Sequence, residues 1–377
     1  MENKHPVQHS HPIRWGITGT AQIARKNWKA ILNSGEGIVA GVASRDADRS
    51  RRFIAECQQA APFEVPPEPV AGYEALIASP EIDAVYLPLP TGLRKAWVVR
   101  AAEAGKHVLC EKPCGVSATE LREMIDACER NGVQFMDGVM FMHSGRLDLV
   151  RAVLDDGASV GSARRVTTSF SFCAPEDFLR QNIRANHRLE PLGCLGDLGW
   201  YCLRFALWVA KGKLPREVTG RLLAQTEASS RDGAVPIEFS GELVFDPGLS
   251  AEFYCSFLAG NQQWAKVSGS KGYLQVTDFV LPFQGPELAF EVRNDVFEQH
   301  GCDFEMKPRP RRFAVREYGT SHPSAQESNM FRNFGRQIRS GQLNAEWPQM
   351  ALRTQQMLDA CLESARDGGR MVKLKAA

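Results

Sequence analysis

Between residues 13 and 136, short apolar runs alternate with stretches of helical periodicity, and this rhythm constrains the fold more than any other feature of the chain. Strands that return to strands through helices build a parallel sheet covered on both faces. Residues 13–18 read as a buried strand. Gly19-Thr20-Ala21 follows, then a helix whose apolar face carries Ile23, Ala24, Trp28, Ile31 and Leu32. Further strands are expected over 38–44, 84–89, 107–110 and 133–136, with helices over 46–59, 73–78 and 93–104. Ser117-Ala118-Thr119-Glu120 is a capping box opening one more helix, which runs to Gly132.

Beyond Gly138 the rhythm changes. Residues 163–172 alternate like a strand, 195–211 read as a helix, and 216–275 hold several strands. Asp246-Pro247-Gly248 and Gly269-Ser270-Lys271-Gly272 supply turn chemistry there and suggest antiparallel neighbours. Residues 283–322 read as irregular, with a basic patch at Arg309, Arg311 and Arg312. Helices over 325–339 and 347–365 and a short strand over 371–374 complete the chain. At 377 residues the chain exceeds one ordinary core. The expectation is an α/β protein: a polar, disordered tail over 1–11, a Rossmann dinucleotide-binding domain over 12–140, and an α+β domain over 141–377. The second domain carries a large, mostly antiparallel open sheet, and the C-terminal helices pack back toward the first.

A net charge of +1 gives no long-range field to attract nucleic acid or an anionic membrane. No apolar run approaches the ~18 residues of a membrane span, and the N-terminus lacks the apolar core of a secretory signal, so a cytoplasmic protein is expected. The ten cysteines sit singly in apolar stretches, as Cys57, Cys128 and Cys202 do, which is the habit of reduced, buried thiols. Cys110 and Cys114 do not form a CxxC, and His5, His9 and His11 lie in the tail, so no metal site is read.

The first strand-turn-helix offers unpaired N–H groups and a partial positive charge at its helix N-terminus, which suits a pyrophosphate. Small residues at Gly19, Ala21 and Ala24 make it a GxAxxA variant of the GxGxxG turn. At the end of the second strand, Ser44 and Arg45 stand where an NAD-specific site usually places an acid. A hydroxyl with a guanidinium suits a 2′-phosphate, which favours NADP over NAD. Asp46 reads as a helix N-cap. Lys112, in Glu111-Lys112-Pro113, directly follows a strand end, where open α/β sheets bind ligands; a lysine with its head in solvent is the plainer alternative. Asp197 and Tyr201 are four apart on the helix from 195, so carboxylate and phenol share a face, and nearby glycines allow a ligand close to the backbone. An N-cap aspartate with a core tyrosine is the competing reading.

Taken together, the Gly19/Ala21/Ala24 turn with Ile23, the strand from Asp83 to Leu89, the run from Ala101 to Val108, Glu111-Lys112-Pro113 and Gly193 through Tyr201 resemble the Gfo/Idh/MocA oxidoreductase family. Tyr201 stands where many members carry a histidine. This places the chain with a tyrosine branch that includes glucose–fructose oxidoreductase, dimeric dihydrodiol dehydrogenase and NADP-linked xylose dehydrogenase. The resemblance implies cofactor contacts from Gly19, Thr20, Ala21, Gln22, Ile23, Ser44, Arg45, Leu89, Pro90, Thr91, Glu111 and Lys112. It implies that Lys112 and Tyr201 flank the reacting carbon, with Asp197 holding substrate or tyrosine and Arg184 contacting substrate; for Arg184 a structural ion pair is the alternative. An ammonium beside a phenol stabilises phenolate, which lets Tyr201 move the hydroxyl proton while hydride passes to or from the cofactor. Members often show an Asn and a His after the Asp83 strand, whereas Pro90-Thr91-Gly92-Leu93-Arg94 supplies neither. The implied activity is NAD(P)-dependent oxidation or reduction of a sugar, polyol or cyclic diol, by a homodimer or homotetramer paired through the C-terminal sheet. A bilin-type reduction and a non-catalytic cofactor-binding regulator are the other readings.

Overall fold

The computed structural model describes residues 11–227, 233–320 and 322–374. They divide into two compact units: one holds the chain up to His143, 186–191 and 320–356, and the other holds 144–185, 192–319 and the chain from Met357. Residues 1–10 of the expected tail lie outside the described residues.

In the first unit the apolar runs form strands β1 (Ile13–Thr18), β2 (Gly37–Ser44), β3 (Glu68–Ala71), β4 (Ala84–Leu87), β5 (His107–Cys110) and β6 (Phe135–Asp137), each parallel to its neighbours. Their order, β3-β2-β1-β4-β5-β6, reverses direction between β1 and β4, the switch point where such sheets bind dinucleotides. The crossovers are α1 (Gln22–Ser34), α2 (Ala47–Ala60), α3 (Tyr73–Ala78), α4 (Thr91–Glu103) and α5 (Ala118–Arg130). Asp46 caps α2 by accepting from Asp48 N at 2.9 Å. At α5, Ser117 accepts from Glu120 N, but the Glu120 carboxylate reaches back to Val116 N at 2.7 Å, one residue before the cap. The Gly105-Lys106-His107 run is a structural joint. Lys106 Nζ donates to the Ser79 and Ile82 carbonyls at 2.8 Å, and burial pushes its ammonium pKa down.

Within this unit, the helix Gln326–Arg339 packs Phe331 edge-on to Trp15 at 5.0 Å and to Tyr86 at 5.8 Å. Contacts thus assign 186–191 and 320–356 to the first unit, where sequence reading placed a single boundary near 140. Ile23, assigned to the apolar face of α1, is 40% exposed; Asn27 is buried on that helix instead.

The second unit is built from α6 (Gly145–Asp155), β7 (Ala163–Ser171), α7 (Glu176–Gln181), α8 (Trp200–Val209), β8 (Glu217–Gln225), β9 (Pro236–Phe245), β10 (Leu249–Ser256), β11 (Gln262–Gly269), β12 (Tyr273–Val276), β13 (Leu288–Arg293), β14 (Val296–His300), β15 (Asp303–Lys307), β16 (Pro310–Val315) and β17 (Val372–Lys373). Among the described residues nine strands form one sheet, β16-β13-β12-β11-β7-β10-β9-β8-β17, antiparallel except where β10 runs parallel to β7. Four strands of the unit, β13 to β16, lie in the segment expected to be irregular, 283–322. β13 and β16 extend the sheet, and β14 pairs with β15 in a separate hairpin. Charged and exposed side chains along β14–β16 hide the two-residue period there. On one face of this sheet Phe239, Phe245, Ala251, Cys255, Val267 and Leu274 are all buried, while the opposite face presents Arg165, Glu242, Glu252, Tyr254 and Trp264.

Candidate functional site

At the switch point, β1 ends in a turn that only glycine fits well. Gly19 has φ +104° and donates its N–H to Ala43 O at 2.7 Å; a Cβ there would lie 3.3 Å from Leu89 Cδ2. Helix α1 starts at Gln22 from Ala21, which has no side chain to cap it. A tight turn and an uncapped 13-residue helix aimed from the sheet crest make a natural anion cradle. The turn and helix start therefore fit the phosphates of a dinucleotide.

The end of β2 differs from expectation. The Ser44 hydroxyl is buried; it donates to Asp46 O and accepts from Ser50 Oγ at 3.0 Å, so it braces the start of α2 rather than facing a ribose. Arg45 is exposed as expected. Sequence reading missed Arg49, one helical turn further on, which is also exposed and donates Nε to Thr20 Oγ1 at 2.7 Å. The i+4 spacing from Arg45 was the signal that could have found it. Burial pushes the Tyr73 phenol up, while Arg45 and Arg49 pull it down, so two guanidinium groups act on this corner.

Beyond β4, the Thr91 hydroxyl is buried and bonds Glu190 Oε2 at 2.5 Å, while Thr91 N donates to Glu190 Oε1 at 3.0 Å. Gly92 N donates to Leu189 O at 2.9 Å. Segment 186–191 thereby caps α4, and Thr91's polar groups are committed to it instead of to a ligand. Leu89 and Pro90 remain at the strand end, with Leu89 lining the Gly19 turn.

Glu111 also turns inward. Its Oε1 accepts from Tyr86 Oη at 2.6 Å and from Asn27 Nδ2 at 3.3 Å, and burial together with this carboxylate holds the Tyr86 phenol far above its usual pKa. Lys112, the next residue, is half-buried just past β5.

In the second unit, the stretch expected to be one α-helix opens with a π-helical turn, Leu195–Gly199, before α8. Single π turns recur at functional sites because they re-aim the side chains they carry. Asp197 lies in the turn and pairs with Arg184 Nε at 2.8 Å. Tyr201, two residues into α8 by its range, is 7% exposed, with its ring edge-on to Phe170 at 5.7 Å. The glycines here serve packing rather than a ligand. A Cβ at Gly193 would fall 2.0 Å from Pro236 O, and one at Gly199 would fall 3.0 Å from Leu195 Cδ1 and 3.3 Å from Cys255 Sγ. Among the described residues, no group of three or more His, Cys, Asp or Glu is placed to hold a metal ion. No helix is long and apolar enough to cross a membrane.

The dinucleotide-type unit matches a family model described as an oxidoreductase family with an NAD-binding Rossmann fold over residues 13–139, and the GFO/IDH/MocA C-terminal domain model matches 148–275. D-xylose 1-dehydrogenase (NADP(+)) 2 of Haloferax volcanii is 33% identical over 280 residues, covering 74% of this chain and 80% of the relative. Trans-1,2-dihydrobenzene-1,2-diol dehydrogenase of Bos taurus is 30% identical over 71% of this chain and 74% of its own length. Among solved structures, KijD10, a 3-ketoreductase from Actinomadura kijaniata in complex with NADP and TDP-benzene, superposes with a TM-score of 0.76 at 26% identity, over 96% of this chain and 98% of that one.

Proposed function

Because the chain belongs to the GFO/IDH/MocA oxidoreductase family, we propose that it is an NADP-dependent dehydrogenase or reductase acting on a carbinol carbon of a sugar, polyol or cyclic diol, with Lys112 and Tyr201 as its proton-transfer pair. The observation that carries the cofactor part is the uncapped α1 N-terminus behind Gly19 at the sheet's switch point, flanked by exposed Arg45 and Arg49. Two guanidinium groups without an acid at the end of β2 suit a 2′-phosphate better than a bare ribose. The substrate class follows the names of the relatives, which act on a pentose, a cyclic diol and a nucleotide-linked keto sugar.

When bound, the nicotinamide supplies or accepts the hydride at the substrate carbon. Gly19 through Ile23 hold the pyrophosphate, and Arg45 with Arg49 holds the 2′-phosphate. In the oxidative direction Tyr201 Oη takes the hydroxyl proton as the carbonyl forms, and in the reductive direction it returns it. Lys112 Nζ holds the negative charge that the phenol acquires. Asp197, oriented by Arg184, accepts a hydroxyl of the substrate. Positioned proton transfer of this kind contributes ~10²–10⁴-fold to rate. Tyr201→Phe and Lys112→Met should therefore each lower turnover by about that factor while NADP still binds, measured as NADP reduction with D-xylose, other aldoses and polyols and as NADPH oxidation with the matching carbonyls. Near-normal turnover in both variants removes the pair. We also propose a homodimer or homotetramer through the open sheet face. Its mixed charges and the aromatic rings of Tyr254 and Trp264 suit a polar interface better than an apolar one.

A further inference from the structure

We infer that Arg94 and Glu111 are positioning residues for Lys112, pinning the main chain on either side of it. This rests on the reading of Lys112 given above.

Arg94 is 5% exposed. Its Nε donates to Leu89 O at 2.7 Å and its Nη1 to Pro113 O, so one guanidinium ties the residue ending the β4 crest to the residue following Lys112. No carboxylate lies within ion-pair distance of Arg94 among the described residues. A buried guanidinium satisfied by carbonyls alone is expensive to keep, and an apolar side chain would fill the space at less cost. Its rigid fork joins two carbonyls from separate loops, which a single-point donor such as lysine cannot do as well.

On the other side, Glu111 is 7% exposed, and its carboxylate sits in a closed triangle of hydrogen bonds. Tyr86 Oη and Asn27 Nδ2 both donate to Oε1, and Asn27 Nδ2 lies 2.6 Å from Tyr86 Oη. Gly138 leaves the room, since a Cβ there would stand 3.2 Å from all three carboxyl atoms. Two buried charged side chains of opposite sign thus bracket one half-buried lysine. The segment 90–94 contributes this anchor through Arg94. By holding the main chain on both sides, the bracket limits where Lys112 Nζ can reach.

The test follows Lys112 itself in the full-length protein. Acetylation by N-hydroxysuccinimide acetate is read by peptide mass spectrometry against exposed Lys213, with and without NADP. At ten times Kd, bound NADP leaves about a tenth of the sites open, so labelling of Lys112 in the wild type should slow about tenfold. In Arg94→Met the protection should fall to about twofold or less, with NADP affinity by calorimetry kept within about threefold. Protection retained in Arg94→Met overturns the positioning role. Absence of protection in the wild type instead sinks the placement of Lys112 beside the cofactor, so the two failures are distinct. Should Arg94→Met not fold, Tyr86→Phe decides by the same criterion, because it keeps the ring and removes only the hydroxyl, with its bonds to Glu111 and Asn27.

Discussion

Gly92→Ala sets two effects of opposite sign against each other. Gly92 is the second residue of α4, and in a helix alanine is favoured over glycine by about 1 kcal/mol. On helix propensity alone the variant should gain stability. The structure opposes this: a Cβ at Gly92 would lie 2.3 Å from the main-chain oxygen of Arg188. Ordinary contact needs about 1 Å more, and neither partner is a flexible side chain. Moving segment 186–191 by that distance breaks the 2.9 Å bond from Gly92 N to Leu189 O and the two-point clasp between Thr91 and Glu190. A neutral bond contributes about 1 kcal/mol and charge-assisted bonds about 1.5–3 kcal/mol. With all three bonds lost and the propensity gain set against them, the net loss is about 3–6 kcal/mol. For a unit of this size, ~1 kcal/mol corresponds to about 2–4 °C, so the transition of the first unit should fall by at least about 6 °C in scanning calorimetry. An unchanged or raised transition would show that 186–191 does not sit against α4, and with it would go the account of Thr91 given above.

Three further outcomes are expected. Arg49→Glu should weaken NADP binding by about 10–100-fold, the equivalent of one lost charge-assisted contact, while NAD affinity stays within about threefold; equal losses for both nucleotides would move the 2′-phosphate elsewhere. Burial pushes the Cys57 thiol from 9.0 up to about 11, so the unfolded chain releases this proton first as pH rises. The contribution of Cys57 to stability should then hold below pH 9.0 and be lost toward about 11, so Cys57→Ala should make the alkaline decline shallower in thermal melts taken across the range; a slope unchanged by the substitution would assign it to the other buried thiols. Light scattering coupled to size exclusion should give two or four copies per particle, with Trp264→Glu shifting the mass downward, and a wild-type monomer at micromolar concentration rejects the sheet-face pairing.

The first unit was legible because each of its rules is local. Buried parallel strands read as apolar runs, Gly19 announces a positive φ, and Asp46 has the chemistry of a cap. What stayed hidden depends on which way a side chain turns once the chain is folded. Ser44, Thr91 and Glu111 were all assigned to ligand contact from their places at strand ends, and each is instead consumed by a partner distant in sequence or by the adjacent helix start. Only the three-dimensional neighbours Ser50, Glu190 and Tyr86 reveal this. Arg49 was missed for the converse reason, since it looks like any solvent-facing helix arginine until Thr20 is placed beside it. In the second unit, strands β14 to β16 have exposed, charged faces, and without a buried face there is no alternation to read, whereas β13 buries Leu288, Phe290 and Val292 in a short alternation that was overlooked. The π turn likewise leaves no mark in apolar periodicity, because nearly every residue from Leu195 to Val209 is buried and no polar face records the phase of the helix.

The helix Gln326–Arg339 closes over Trp15 and Tyr86, and Arg332 within it donates to the Ser34 carbonyl, 298 residues away. At ~5–20 residues per second, a ribosome needs about 15–60 s to travel that distance. All six strands of the nucleotide-type sheet have emerged long before, yet the aromatic side of β1 waits uncovered until this helix is made. A nascent chain stalled between Asp137 and Gln326 therefore presents a half-clad sheet, with Trp15 and Tyr86 still lacking Phe331.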